Sequence, residues 1–181
     1  YAQMLNPGAP FHLVADGSTQ IVGACRTGAL LACRPVIAPD HGAAHQTIQA
    51  IPDGIRQLAT MQTVSLALLE NGDVWSWGFN HQGQLGRLAQ PAQNSAAVVD
   101  GLPAIASLAC GSAHALALDK SGSVWSWGAN QAGQLGDGTL KSSGLPVRVA
   151  LPEPIASVAA GDTHSLALDA AGQLWAWGAN N

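Results

Sequence analysis

Charge is scarce in this sequence. Only 10% of its 181 residues are Asp, Glu, Lys or Arg. The seven basic residues gather into no patch, so the electrostatic footprint of a nucleic-acid binder is missing. The net charge of −4, with histidine neutral, argues the same way. Cysteine is nearly absent: Cys25, Cys33 and Cys110 are too few, and odd in number, for a disulfide framework. No stretch approaches the roughly 18 uninterrupted apolar residues of a transmembrane helix. The first ten residues have neither the basic start nor the apolar core of a secretory leader, so either the chain is cytosolic or a leader has been removed. Paired carboxylates, a Gly-x-Ser-x-Gly elbow, a phosphate loop and a dinucleotide fingerprint are all missing, which argues against an enzyme.

Apolar residues and glycine are plentiful instead. Apolar residues make up 48% of the chain, too many for a disordered tail, and the 21 glycines recur at fixed places. Trp75-Ser76-Trp77-Gly78 returns as Trp125-Ser126-Trp127-Gly128 and as Trp175-Ala176-Trp177-Gly178, 50 residues apart each time, and these three pairs use all six tryptophans. Upstream, Gly111-Ser112-Ala113-His114-Ala115-Leu116-Ala117-Leu118-Asp119 lines up with Gly161-Asp162-Thr163-His164-Ser165-Leu166-Ala167-Leu168-Asp169. Downstream, Gly78-Phe79-Asn80-His81-Gln82-Gly83-Gln84-Leu85-Gly86 matches Gly128 to Gly136. In the second copy Met61 and Val64 stand where the others have glycine and histidine. A worn first copy aligns Gly17 to Val22 with Gly111 to Leu116; there Leu31 and Cys33 replace the tryptophans, and the Gly-Gln-Leu-Gly loop is gone. The units run over approximately 15–60, 61–104, 105–154 and 155–181.

Each unit predicts short antiparallel strands. Ile155 to Ala159 is a small-residue strand, His164 to Leu168 alternates, and Gln173 to Trp177 returns after a turn at Gly172, which supplies the positive-φ position. Leu145 to Val149 is a fourth, outer strand whose proline suits an edge. Four antiparallel strands in about 50 residues is a propeller blade. Small residues on the first strand fit a crowded inner position. The paired indoles share one face of the third strand, where they could fill the space between blades.

The pattern Gly-x-x-His-x-Leu-Ala-Leu, then Gly-x-(Val/Leu)-Trp-(Ser/Ala)-Trp-Gly-x-Asn-x-x-Gly-Gln-Leu-Gly, resembles the regulator of chromosome condensation (RCC1) repeat, strongly from residue 61 onward. The resemblance implies an all-β fold, a partial β-propeller of four-stranded antiparallel blades, about three and a half of the seven that close a ring in this family. An open arc would expose apolar faces at both ends, predicting oligomer contacts or a further segment there. The family's members include a nucleotide-exchange factor for a small GTPase and secreted bacterial proteins, and their shared theme is protein binding by loops at one rim.

His114 and His164 are repeat-equivalent, which predicts a structural role within each blade, like that of Trp75, Trp77, Trp125, Trp127, Trp175 and Trp177. The Gly-x-Asn-x-x-Gly-Gln-Leu-Gly loops open no helix, so their glycines read as turn chemistry and not as phosphate cradles. Cys25 and Cys33 lie too far apart along a hairpin to bridge, and no disulfide is expected. Loop residues that differ between units are the expected binding residues: Phe79, His81, Arg87, Leu88 and Gln90 in one, Gln131, Asp137 and Lys141 in the next. The expected function is a non-enzymatic scaffold that binds another protein, or further copies of itself, through rim loops, with no cofactor, no metal and no nucleic acid. Low charge and an Ala/Gly/Thr/Ser-rich texture point to an exported bacterial protein, extracellular or at the cell surface. One alternative is a structural piece of a cell-surface or appendage assembly joined by its open ends. Another is a metal hydrolase at His41 and His45, four residues apart but with no Glu beside the first.

Overall fold

The computed structural model describes residues 51–88 and 95–180 in full and, before them, the backbone of strands within 11–47. It is all β. The first sheet holds β1 (Phe11–Asp16), β2 (Ile21–Cys25), β3 (Leu30–Cys33) and β4 (His45–Thr47). The second holds β5 (Ile55–Thr60), β6 (Val64–Leu69), β7 (Val74–Gly78) and β8 (Ala97–Val98). The third holds β9 (Ile105–Cys110), β10 (His114–Asp119), β11 (Val124–Gly128) and β12 (Ser143–Arg148). The last holds β13 (Ile155–Ala160), β14 (His164–Asp169) and β15 (Leu174–Gly178). Strands pair with their sequence neighbours, antiparallel throughout, so each sheet is a meander forming one blade of a partial propeller.

Register repeats with the sequence. His114 faces Gly128 and Ala115 faces Trp127; Val64 faces Gly78 and Ser65 faces Trp77. In the worn unit Ile21 faces Cys33 and Gly23 faces Leu31, so Leu31 and Cys33 occupy the tryptophan positions.

The core lies between the sheets. One cluster joins Val64, Leu66, Leu68 and Val74 of the second blade to Ala115, Ala117 and Trp127 of the third. Another joins Leu116, Leu118 and Val124 to Ala167 of the fourth, with Trp175 and Trp177 packed against it. Covered on both faces, β6 and β10 are buried at every residue, so their alternation is one of destination, not of polarity. Backbone bonds tie neighbours together at both ends of the sheets. Ile105 N–H donates to Gly72 O and Ile155 N–H to Gly122 O at one end; Gln62 N–H donates to Ser112 O and Ser112 N–H to Asp162 O at the other. Between inner strands, the Gln57 amide imitates a ladder partner. It donates to Leu108 O (2.8 Å) and accepts from Leu108 N–H (3.0 Å), while Arg56 donates to Ala106 O.

Candidate functional site

The described binding candidates belong to the loops after β7 and β11. Since Val64 and His114 pair with Gly78 and Gly128, the loops after β7 and β11 leave from the end where β6 and β10 begin. The second loop is built around Asn130, which is fully buried. Its Oδ1 accepts from Leu135 N–H (2.9 Å), and its Nδ2 reaches Asp137 Oδ1 (3.1 Å) and the carbonyls of Thr139 (3.0 Å) and Lys141 (3.1 Å). Gln134 Oε1 accepts from Ala132 N–H (2.9 Å). Asn80 and Gln84 repeat the design, accepting from Leu85 N–H (3.0 Å) and Gln82 N–H (2.8 Å). Replacing Asn130 with Ala strands the buried Leu135 N–H and is expected to cost about 2–3 kcal/mol. Urea unfolding would measure the cost, and faster amide exchange at Leu135 would localise it.

The Gly-Gln-Leu-Gly loops have a second purpose that turn chemistry alone does not reveal. Trp127 Nε1 donates to Gln84 O, and Trp177 Nε1 to Gln134 O, each at 2.9 Å. Each loop therefore cradles the inner indole of the following blade. A Cβ on Gly86 (φ +67°) would fall 2.9 Å from the Trp127 Nε1, and one on Gly136 (φ +67°) 2.8 Å from that of Trp177. Trp77 has no such loop ahead of it in sequence, and its buried Nε1 has no acceptor among the described residues. The outer indoles depend on a different residue: Trp125 Nε1 donates to Asp119 Oδ2 (3.0 Å) and Trp175 Nε1 to Asp169 Oδ2 (3.1 Å). Leu69 takes that aspartate's place in the second blade, and Trp75 Nε1 finds no partner among the described residues.

The candidate residues divide when placed on this frame. Phe79 and His81 stack, with ring centroids 5.8 Å apart and planes at 10°. Gln131 and Lys141 are exposed, and Gln131 Nε2 approaches Ser142 Oγ at 3.4 Å. Asp137 is engaged within its loop. Burial opposes its ionisation, but hydrogen bonds from Thr139 and Asn130 outweigh that and hold the carboxyl below its ordinary value. Arg87 requires a correction: expected on the rim, it is 3% exposed, with Nε on Ser76 Oγ (3.1 Å) and Nη2 on the carbonyls of Ser76 (3.0 Å) and Ser95 (3.1 Å). It clamps the segment leading into β8 against β7. Gln90 and His41 lie outside the described residues, and of His45 only the backbone in β4 is described. Sequence comparison missed Leu140, which is 67% exposed, while Leu88 is 75% exposed. The first loop reaches the start of β12, where Gly83 packs directly against Ser143 and Gly144.

A serine and a histidine do meet: His114 Nε2 lies 2.9 Å from Ser165 Oγ. Both are fully buried, and the serine hydroxyl donates to Gln134 O (2.8 Å), so the pair has neither access nor a free nucleophile. Among the described residues no three potential metal ligands cluster, and no helix is long and apolar enough to cross a membrane. At the opposite end a cleft of about 310 Å³ lies between Ser121, Ser123, Arg148, Leu151, Glu153 and Pro154, where Arg148 Nη2 donates to Ser123 Oγ (3.1 Å).

Known proteins share this frame. The human protein WBSCR16 superimposes with a TM-score of 0.79 at 21% identity, over 96% of this chain and 50% of its own. Yeast RCC1 (Prp20), crystallised with Kap60 bound, does so with a TM-score of 0.75 at 28% identity, over 94% of this chain and 42% of its own. A second structure of Prp20p from Saccharomyces cerevisiae, described with its binding to Gsp1p and histones, gives 0.75 at 21%, over 96% and 46%. The chain thus spans half or less of the length of these relatives. No curated protein matches its sequence. The profile described as the regulator of chromosome condensation (RCC1) repeat matches residues 71–118 and 121–168, and a second profile of the same description matches 105–134. Those matches cover more than half of the chain and fall on the strands, turns and indole cradles described above: the chain belongs to the RCC1 repeat family.

Proposed function

We propose that this chain is a non-enzymatic scaffold that binds another protein through the loops after β7 and β11. One observation carries the reading: Leu88 and Leu140, 75% and 67% exposed, are held outward on the loops after β7 and β11, the first of which also carries the Phe79–His81 stack. Large apolar side chains held outward on loops stiffened from within suit a protein ligand, since aromatic and aliphatic anchors in a polar rim dominate such interfaces. Gln131 and Lys141 supply the polar rim. That yeast RCC1 was crystallised with Kap60 bound, and that Prp20p was characterised for binding to Gsp1p and histones, supports protein binding as the theme without naming a partner here.

Affinity capture with the chain, compared across two variants, tests the proposal. Phe79→Ala combined with Leu140→Asp should reduce recovery of a specific protein at least tenfold, as loss of a hot spot does. Arg148→Glu, at the opposite end, should leave it unchanged. Loss with Arg148→Glu alone would move the binding surface to the other end.

A further inference from the structure

The junction between the third and fourth blades is polar at one buried point. His114, at the start of β10, reaches across to Ser165, at the start of β14, and the serine passes the connection on to Gln134 O. The preceding junction is apolar at the same point: Val64 takes the histidine position and Ala115 the serine position, both fully buried. The glycine three residues before the histidine changes in step. A Cβ on Gly111 would lie 2.3 Å from the His114 ring and 2.5 Å from Gly161 O, so a histidine there demands glycine. Where Val64 replaces the ring, Met61 fills the space and is 2% exposed. In sequence, Gln20 stands at the histidine position of the worn unit and Ser65 at the serine position of the next. Polarity therefore matches across both junctions whose residues are described.

The outward face of the fourth blade presents Gly161 and His164, the polar half of such a pair, and His164 is exposed there, with exposed Leu168 and its partner Leu174 four residues further along β14. We infer that these matched pairs specify which blade follows which, and that the fourth blade's open face accepts an RCC1-type blade carrying serine at the Ser165 position. A second copy stacked head to tail does not meet this requirement. Its first blade carries Ile21 there, since Ile21 pairs with Asp16 as Ala115 pairs with Cys110 and Ser165 with Ala160. Isoleucine offers a histidine no hydrogen bond, and leaving a polar group unpaired at a closed junction is costly. The same face that welcomes a serine blade so rejects this chain's own first blade, and mismatch supplies the selectivity.

The existing junction provides the first test. His114→Val and Ser165→Ala should each raise the unfolding equilibrium constant at least tenfold, and the double variant should recover about tenfold relative to their product. The second test extends the chain by a copy of its own residues 132–181, which supplies an indole cradle, an outer strand and a blade with serine opposite His164. That blade should unfold cooperatively with the rest. Ser→Ile in it should weaken the assembly at least tenfold, and His164→Val paired with Ser→Ala should restore it. Additive effects at the existing junction would overturn the idea, as would an added blade that tolerates isoleucine as well as serine. So would concentration-dependent self-association of the unextended chain that His164→Arg abolishes, read by sedimentation.

Discussion

Replacing Trp127 with alanine is expected to destabilise the fold by about 3–5 kcal/mol, the cost of deleting a large core aromatic. That is a large share of the roughly 5–15 kcal/mol that holds a domain together, so the variant should populate unfolded chain at moderate temperature. Trp127 is fully buried and packs with Val64, Leu66 and Leu68 of the second blade. Its Nε1 is the donor that satisfies Gln84 O, so truncation opens a cavity and orphans a carbonyl together. The surrounding strands cannot collapse into the gap, because both blades are tied by backbone bonds at their two ends. Trp175→Ala is the control: that side chain is only half-buried, on the last blade, and should cost less than half as much. Urea unfolding followed by circular dichroism measures both, and equal losses would mean that the indoles are not the wedge between sheets.

Acid is expected to loosen the junction between the third and fourth blades as the pH falls from 6.5 towards 4. Burial, aided by the nearby His164, pushes His114 down from 6.5 to about 4. Since Ser165 Oγ donates to Gln134 O, it accepts from His114, which assigns the ring proton to Nε2. Nδ1 is then bare, buried and without a partner, and protonating it would add a charge and a donor with no acceptor. The unfolded chain therefore binds the proton more readily than the folded one. The contribution of neutral His114 is fully present above pH 6.5 and disappears as the pH falls towards 4. A shift of this size corresponds to about 3 kcal/mol. Asp119 and Asp169 titrate below their ordinary 3.8, so their losses fall at lower pH. Urea midpoints across this window should drop for the native chain and stay flat for His114→Val/Ser165→Ala, which removes the titrating ring and installs the Val64–Ala115 pair. A slope unchanged in that variant would assign the acid response to other groups.

Much of this was legible in one dimension because repeat-equivalence separates architecture from decoration. Trp127 is buried among residues of the second and third blades, His114 bonds to Ser165 of the fourth, and the registers repeat as the alignment requires. The Gly-Gln-Leu-Gly loop was half legible: its glycines mark a turn, but the indole they make room for lies more than 40 residues away in the next blade. Arg87 shows where the logic fails. It differs from its counterpart Asp137, and a charged loop residue suggests the surface, yet Ser76 and Ser95 offer it acceptors in the interior. Nothing about non-equivalence distinguishes a specific contact from a local clamp. Leu140 was passed over although Leu88, a leucine in the preceding loop, was not, since nothing in the sequence separates an outward leucine from an inward one.

Strands, turns and register were determined by the sequence alone, because alternation, turn glycines and a 50-residue period act over a few residues at a time. Burial was decided by tertiary structure. The strands His114–Asp119 and His164–Asp169 are nearly the same sequence and pair with their neighbours in the same way, yet the first is buried at every position and the second only at Ser165, Ala167 and Asp169, with Leu166 between. The difference is the sheet that lies on the far side of β10 and not of β14: a strand sets which side chains point each way, and only its neighbours settle which of them leave water.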